Sequence, residues 1–422
     1  MVQAAAYSTL AMTVTLALAR PRLRPSQLRV TPGIAALLGL TVLMLLRLVT
    51  VADLTAAMRV QWRPLVSVAG IMLMTGVVAE VGAFERLAAY LESYARRTSA
   101  ARAFALVFAA SLATPSLLNN DAAVLLLTPL VVALGRRLYP GREDVVEAFA
   151  FAVFLAPGVA PLVVSNPMNM IVAEYAGIHF NAYAATMLPI SAAGALVTWA
   201  LLRWRFARVL GTAQAAPRAV AVPPRHAAER GVVALLVIVV GAYPLAAALG
   251  LQIWSVTVAG ALATFGWARL HAVAPARTLA RHVSVDILLF LWGVFLIVAG
   301  LRHVGVAGSL ASLYHAAPDG STLQLAIVGG GAAVGSALVD NHPMSILNLL
   351  ALGHGSDRAL YAALVGGDLG PRLLPLGSLA GLLWMELLRR AGVRVTVGRF
   401  VRMGTLVLVP TLLVSLALLA IG

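Results

Sequence analysis

Two short polar runs, Asn119-Asn120-Asp121 and Asp340-Asn341-His342-Pro343, interrupt stretches that are otherwise apolar. Their groups can hydrogen-bond a solute and exchange protons: amides that donate and accept, carboxylates, and an imidazole that titrates near neutrality. Other polar breaks are Ser165-Asn166-Pro167-Met168-Asn169, Gly366-Gly367-Asp368-Leu369-Gly370-Pro371-Arg372 and Pro375-Leu376-Gly377-Ser378. Gly and Pro there end helices and free backbone carbonyls. Plainer readings exist. Asn119 and Asp121 would cap the helix that follows. His342 would be a hydrogen-bonded packing residue, and Asp368 an ion-pair partner of Arg372. Against capping alone, a carboxylate at membrane depth costs about 3 kcal/mol or more, and Ser or Asn would cap without it. Asp286 opens an apolar run and reads as interfacial.

Motifs of other chemistries are missing. There is no GxxxxGK[ST] loop for nucleotide phosphates, and neither HExxH nor GxSxG for hydrolysis. The chain reads as a transporter and not an enzyme, and no cofactor is expected. With no cysteine, disulfides, thiolate metal sites and cysteine nucleophiles are excluded. Coupling must come from an ion gradient, most simply protons, or from a separate ATPase.

The elements that position these residues follow from composition. Of 422 residues, 61% are hydrophobic and 11% charged, with a mean hydropathy of +0.92. Soluble domains are about half apolar and a quarter charged, so the chain reads as an all-α polytopic membrane protein. The net charge of +15 does not point to nucleic acid. Every basic residue is an arginine, and the arginines lie between apolar runs, as the positive-inside rule expects. A spanning helix needs about 20 residues. Runs of that kind lie at Ala4–Ala19, Thr31–Val49, Leu65–Val81, Phe149–Tyr175, Ala185–Leu202, Val232–Leu249, Ile253–Trp267, Val285–Leu301, Leu360–Leu388 and Met403–Ile421. The first lacks the features of a cleaved signal and reads as a retained span. Two further stretches, Ala103–Leu134 and Leu323–Leu352, carry the polar triplets near their middles.

Arginine placement orients the runs. Clusters at Arg20–Arg29, at Arg86–Arg102 and at Arg136–Arg142 mark cytoplasmic loops, as do Arg203–Arg230, Arg269–Arg281 and Arg389–Arg402. The stretch around Asn119–Asp121 must therefore enter and return on one side, as a re-entrant hairpin. Counting onward gives about ten spans, two re-entrant hairpins of opposite orientation, and both termini outside. An internal repeat agrees: Gly70 and Gly82 match Gly293 and Gly305, and Glu80-Val81-Gly82 recurs as His303-Val304-Gly305. The expected plan is an inverted repeat, with the site where discontinuous helices meet at mid-membrane. Residues 1–210 form the first half, with a hairpin near 103–134 and a broken helix near 149–175. Residues 211–230 form a cytoplasmic linker. Residues 231–422 form the second half, with a hairpin near 323–353 and a broken helix near 360–388. The helix after each tip offers free N–H groups to an oxygen ligand.

At these residues the chain resembles the ArsB arsenite/antimonite permease family of the ion transporter superfamily. The matching stretches are Asn120-Asp121-Ala122-Ala123 through Thr128-Pro129, and Pro161-Leu162-Val163-Val164-Ser165-Asn166 with Asn169. Further on they are Gly367-Asp368-Leu369-Gly370-Pro371 with Pro375-Leu376-Gly377-Ser378-Leu379-Ala380 and Leu383-Trp384. The resemblance implies an inverted-repeat ion-transporter fold in a bacterial or archaeal cytoplasmic membrane. It implies efflux of arsenite and antimonite as neutral trihydroxides in exchange for protons, with optional pairing to a soluble arsenite-stimulated ATPase. Two departures stand out. The family's first broken span usually carries an Asp where this chain has Ala156-Pro157-Gly158, and its second hairpin usually reads Asn-Asn where this chain has Asp340-Asn341. The expected substrate-binding residues are Asn119, Asn120, Ser165, Asn166, Asn169, Asn341, Gly377 and Ser378. Asp121, Asp340, His342 and Asp368 are the expected proton-coupling residues. No metal site is expected, since the metalloid would be held as its hydroxide. The main alternative is Na+/H+ or other anion antiport within the same superfamily. Dicarboxylate transport fits less well, because an acid beside each tip repels a dianion.

Overall fold

The computed structural model describes residues 2–19, 22–23, 28–117, 120–216, 224, 226–302, 305–353 and 356–421. Asn119 and His303 lie outside these residues, and the side chain of Asp121 is likewise not described. The first half runs through α1 (Val2–Ala19), α2 (Pro32–Leu45), α3 (Val51–Glu80), α4 (Ala83–Ala95) and α5 (Ala100–Leu117). It continues with α6 (Asn120–Leu138), α7 (Glu143–Leu155), α8 (Pro167–Ala176), α9 (Phe180–Arg205) and α10 (Ala207–Thr212). The second half holds α11 (Glu229–Ala248), α12 (Ile253–Leu270), α13 (Ala276–Ala280), α14 (Val285–Arg302) and α15 (Val306–Tyr314). It ends with α16 (Thr322–Val339), α17 (Asn341–Leu352), α18 (Asp357–Leu369), α19 (Leu379–Arg390) and α20 (Val397–Ile421). Among the described residues the one strand pairing is β1 (Arg22–Leu23) with β2 (Leu28–Arg29).

Helices dominate because a chain in hydrocarbon must satisfy its backbone within each segment. Every expected apolar run coincides with a helix or, at the two broken runs, with a helix pair: α7 with α8, and α18 with α19. The stretches carrying the triplets are the pairs α5–α6 and α16–α17. Six segments among the described residues are long and apolar enough to cross a membrane by length and composition. These are Gln61–Glu80, Phe180–Arg205, Glu229–Ala248, Ala276–Val298, Thr322–Val339 and Val397–Ile421. One of them, Thr322–Val339, is an arm of the second expected hairpin.

The packing comes in exchanged pairs. α2 lies on α14, and α12 lies on α3; α8 lies on α17, and α19 lies on α6. Gly70 and Gly293 serve the first two contacts. A Cβ on Gly70 would sit 3.0 Å from Thr257 of α12, and one on Gly293 would sit 2.8 Å from Ala36 of α2. Gly82 and Gly305 open α4 and α15 at φ of 76° and 78°, a conformation that favours glycine. A third seam joins α16 to α18. Gly366 and Gly370 form a small-xxx-small pair, and a Cβ there would meet the carbonyls of Gly329 at 2.2 Å and Ala333 at 2.3 Å. This close approach fixes the stretch between them, which carries Asp368.

Aromatic rings weld the halves elsewhere. Trp384 of α19 stacks on Phe154 of α7 at 5.1 Å and donates from Nε1 to the Ala150 carbonyl at 3.1 Å. At the start of α11, Glu229 receives two bonds from the Arg86 Nε, at 2.8 and 2.7 Å, in a buried ion pair. After α10 the Ala216 amide donates to the Leu138 carbonyl at 2.7 Å.

Candidate functional site

The site lies where the loops of both broken helices meet the N-terminal ends of α6 and α17. Pro157 and Pro161 cannot continue α7, so the chain leaves the helix and re-forms a single 3-10 turn at Val163–Ser165. Asn166 then caps α8, its Oδ1 accepting from the Met168 amide at 3.1 Å. The second half repeats this with other residues. After α18, 3-10 turns at Gly370–Arg372 and Pro375–Gly377 lead to Ser378, whose Oγ accepts from the Gly381 amide at 3.0 Å and caps α19.

Between these loops is a cavity of about 50 Å³. A single water needs ~10–15 Å³ of such space, so there is room for a solute of a few heavy atoms. Asn120, Ser165, Asn166, Asn341, His342, Asp368 and Ser378, all expected from sequence, line it. Four helices begin at its wall: α6 and α17 at Asn120 and Asn341, and α8 and α19 at their caps Asn166 and Ser378. Helix N-termini carry partial positive charge, which suits oxygen ligands.

Asp368 is held entirely from the other half. Its Oδ1 accepts from Asn166 Nδ2 at 2.8 Å, and its Oδ2 from the Ala160 amide at 2.9 Å and Asn169 Nδ2 at 3.0 Å. Asn169 does not line the cavity; it also donates to the Tyr183 hydroxyl at 2.7 Å, which in turn donates to the Ala160 carbonyl at 3.1 Å. The expected alternative of an Asp368–Arg372 ion pair is not what forms. Arg372 instead donates through Nη2 to the carbonyls of Leu155 at 2.6 Å and Pro157 at 3.2 Å, across the same interface. Its Nη1 reaches Thr198 at 3.5 Å, and its buried Nε has no partner. The carbonyls left without helical partners where α7 ends are what draw the guanidinium away.

Asp340 stands behind the wall, 1% exposed. Its Oδ1 accepts from the His342 amide at 2.9 Å, capping α17, and also meets His342 Nδ1 at 2.8 Å. Capping and the imidazole contact are thus one arrangement. Its φ of 75° and ψ of 147° are nearly reserved for glycine and cost about 1–3 kcal/mol. Phe290 of α14 packs edge-on against the His342 ring at 5.7 Å.

Gly377 does not line the cavity. It is packed beneath it, where a Cβ would meet Pro371 at 2.8 Å. Sequence reasoning missed Ser116, Gly158, Tyr183 and Arg372 as parts of the site. Gly158 could have been found from its place after Pro157, since a Cβ there would come within 2.9 Å of Arg372 Nη2. Tyr183, inside the unbroken helix α9, gave no local signal.

Comparison with known proteins agrees with this architecture. A sequence profile of the arsenical pump membrane protein family (ArsB) matches residues 10–422. The chain is 28% identical over 403 residues to an arsenical pump membrane protein of Escherichia coli K12, covering 92% of this chain and 93% of that one. It is 26% identical over 430 residues to an arsenical pump membrane protein of Yersinia enterocolitica, covering 99% and 98%. Among solved structures it is similar in fold to the YdaH transporter of Alcanivorax borkumensis, with a TM-score of 0.57 at 18% identity, covering 99% and 96%. It is similar also to MtrF of Neisseria gonorrhoeae, with a TM-score of 0.52 at 14% identity, covering 99% and 94%.

Proposed function

Because the chain belongs to the arsenical pump membrane protein family, we propose that it is a secondary active exporter of trivalent arsenic and antimony, carrying their neutral trihydroxides in exchange for protons. The observation that carries this reading is the Asp368 carboxylate, exposed to the cavity and bound by Ala160, Asn166 and Asn169. Its oxygens act as acceptors, and a trihydroxide offers hydroxyl donors. A proton and a trihydroxide then compete for the same oxygens. A carrier that holds either but not both exchanges them.

Asn120, Asn166, Asn341 and Ser378 supply the remaining hydrogen bonds around the solute. A chain without cysteine cannot trap trivalent arsenic on a thiol, which favours release. Asp340 and His342 form a second proton-holding pair, with His342 at the cavity wall and Asp340 buried behind it. The exchanged helix pairings support two inverted halves, re-entrant hairpins at α5–α6 and α16–α17, and alternating access to the cavity between them.

The test is arsenite uptake into everted membrane vesicles containing this chain and no ATPase subunit. Uptake is expected to depend on the proton gradient, to collapse with a protonophore and to be indifferent to sodium. Asp368→Asn should reduce it by about tenfold or more, the size of one lost charge-assisted hydrogen-bond set. Sodium-driven uptake, or wild-type exchange by Asp368→Asn, would overturn the reading.

A further inference from the structure

The cavity wall is built like an oxyanion site. Four helix N-termini begin there, and Arg372, 2% exposed, adds a guanidinium with an unpartnered Nε. The Ala160 amide and the Asn166 and Asn169 amides add donors. Arg372 has no carboxylate bonded to it; its partners are two backbone carbonyls and a threonine hydroxyl. Everything in this set except Asp368 invites an anion. The Asp368 carboxylate occupies the amide cradle as a bound carboxylate or oxyanion would, but it is tethered to the chain.

We propose that Asp368 is the specificity-determining residue of the site: a built-in anion that fills an oxyanion cradle and so confines the cavity to uncharged hydroxylated solutes. The inference rests on the transport reading above and deepens it. A fixed carboxylate repels arsenate or phosphate at the distances of a shared cavity. The Arg372 guanidinium, facing the same space, repels a bare cation. Only a solute with no formal charge meets neither repulsion, and its hydroxyls can donate to Asp368 while its oxygens accept from Arg372. The position matching Asp368 in the first half is Ala156, by the spacing that pairs the caps Asn166 and Ser378. The cradle therefore holds one tethered anion from these two loops and not two.

The experiment measures thermal stabilisation and calorimetric binding of the purified chain in nanodiscs at pH 7, with arsenite and separately with arsenate as probes. Wild type is expected to bind arsenite and to show no response to arsenate. Asp368→Asn should gain arsenate binding by about tenfold or more over wild type, as expected when one unit of repulsion is removed from a low-dielectric site. Asp368→Asn with Arg372→Gln should lose that gain. Asp368→Ser, smaller and equally neutral, repeats the measurement should the Asn variant not melt cooperatively. A cooperatively melting neutral variant with no arsenate gain would overturn the proposal. So would a gain that survives removal of Arg372. Failure of wild type to bind arsenite would instead count against the transported solute, and the arsenate comparison would still report on Asp368.

Discussion

Gly158 and Arg372 form the contact on which the cavity's positive wall depends. The guanidinium reaches Leu155 and Pro157 only because position 158 has no side chain in its way. Gly158→Val should push it off both carbonyls. Hydrogen bonds to a charged group are each worth about 1.5–3 kcal/mol, so losing both costs about 3–6 kcal/mol, read as a lowered midpoint of unfolding in detergent. An unchanged midpoint would show that the guanidinium can reach other partners. Much of this chemistry was legible in the residues themselves: seven of the expected side chains line the cavity. What misled was adjacency. Asp368 and Arg372 stand four apart on one segment, the spacing of an α-helical ion pair, yet the segment tightens from α-helix to a 3-10 turn between them, at Gly370. Each then finds better partners in the other half.

At the scale of elements, the α16–α18 seam is what puts Asp368 in place. Its glycines face backbone carbonyls, which cannot yield as a flexible side chain would. Gly370→Leu should separate the helices and cost about 1–3 kcal/mol or more from overpacking. It should also abolish arsenite uptake, while Gly330→Ala, with open space around it, should change neither. Equal effects of the two would mean that the seam does not govern the site. The first half builds the corresponding contact between α5 and α7 differently, with Phe104 and Phe149 at 6.2 Å in place of glycines. Element existence was readable because long apolar runs have one way to satisfy their backbone in lipid. The glycine seam was not, since a glycine-rich stretch looks the same whether it packs, kinks or caps.

For the whole molecule, the orientation argued from arginines makes a direct prediction. Leu251, between α11 and α12, should lie outside, and Arg394, between α19 and α20, in the cytoplasm; both are exposed. With no native cysteine to interfere, an impermeant maleimide applied to intact cells should label Leu251→Cys and not Arg394→Cys. The reverse pattern would invert the topology. Arginine placement speaks only to which loops face the cytoplasm; the exchanged helix pairings join segments far apart in the chain and leave no local pattern in the sequence. The bonds to Asp368 also set an order of events during synthesis. The Ala160 amide meets its acceptor 208 residues later in the chain, about 10–40 s at ordinary rates of elongation. Through that interval the first half sits in the bilayer with polar backbone turned toward a carboxylate not yet made. A chain stopped before α18 keeps those three donors without the acceptor they have in the finished fold, and its loop between α7 and α8 is expected to be cut faster by an added protease than that of the full chain.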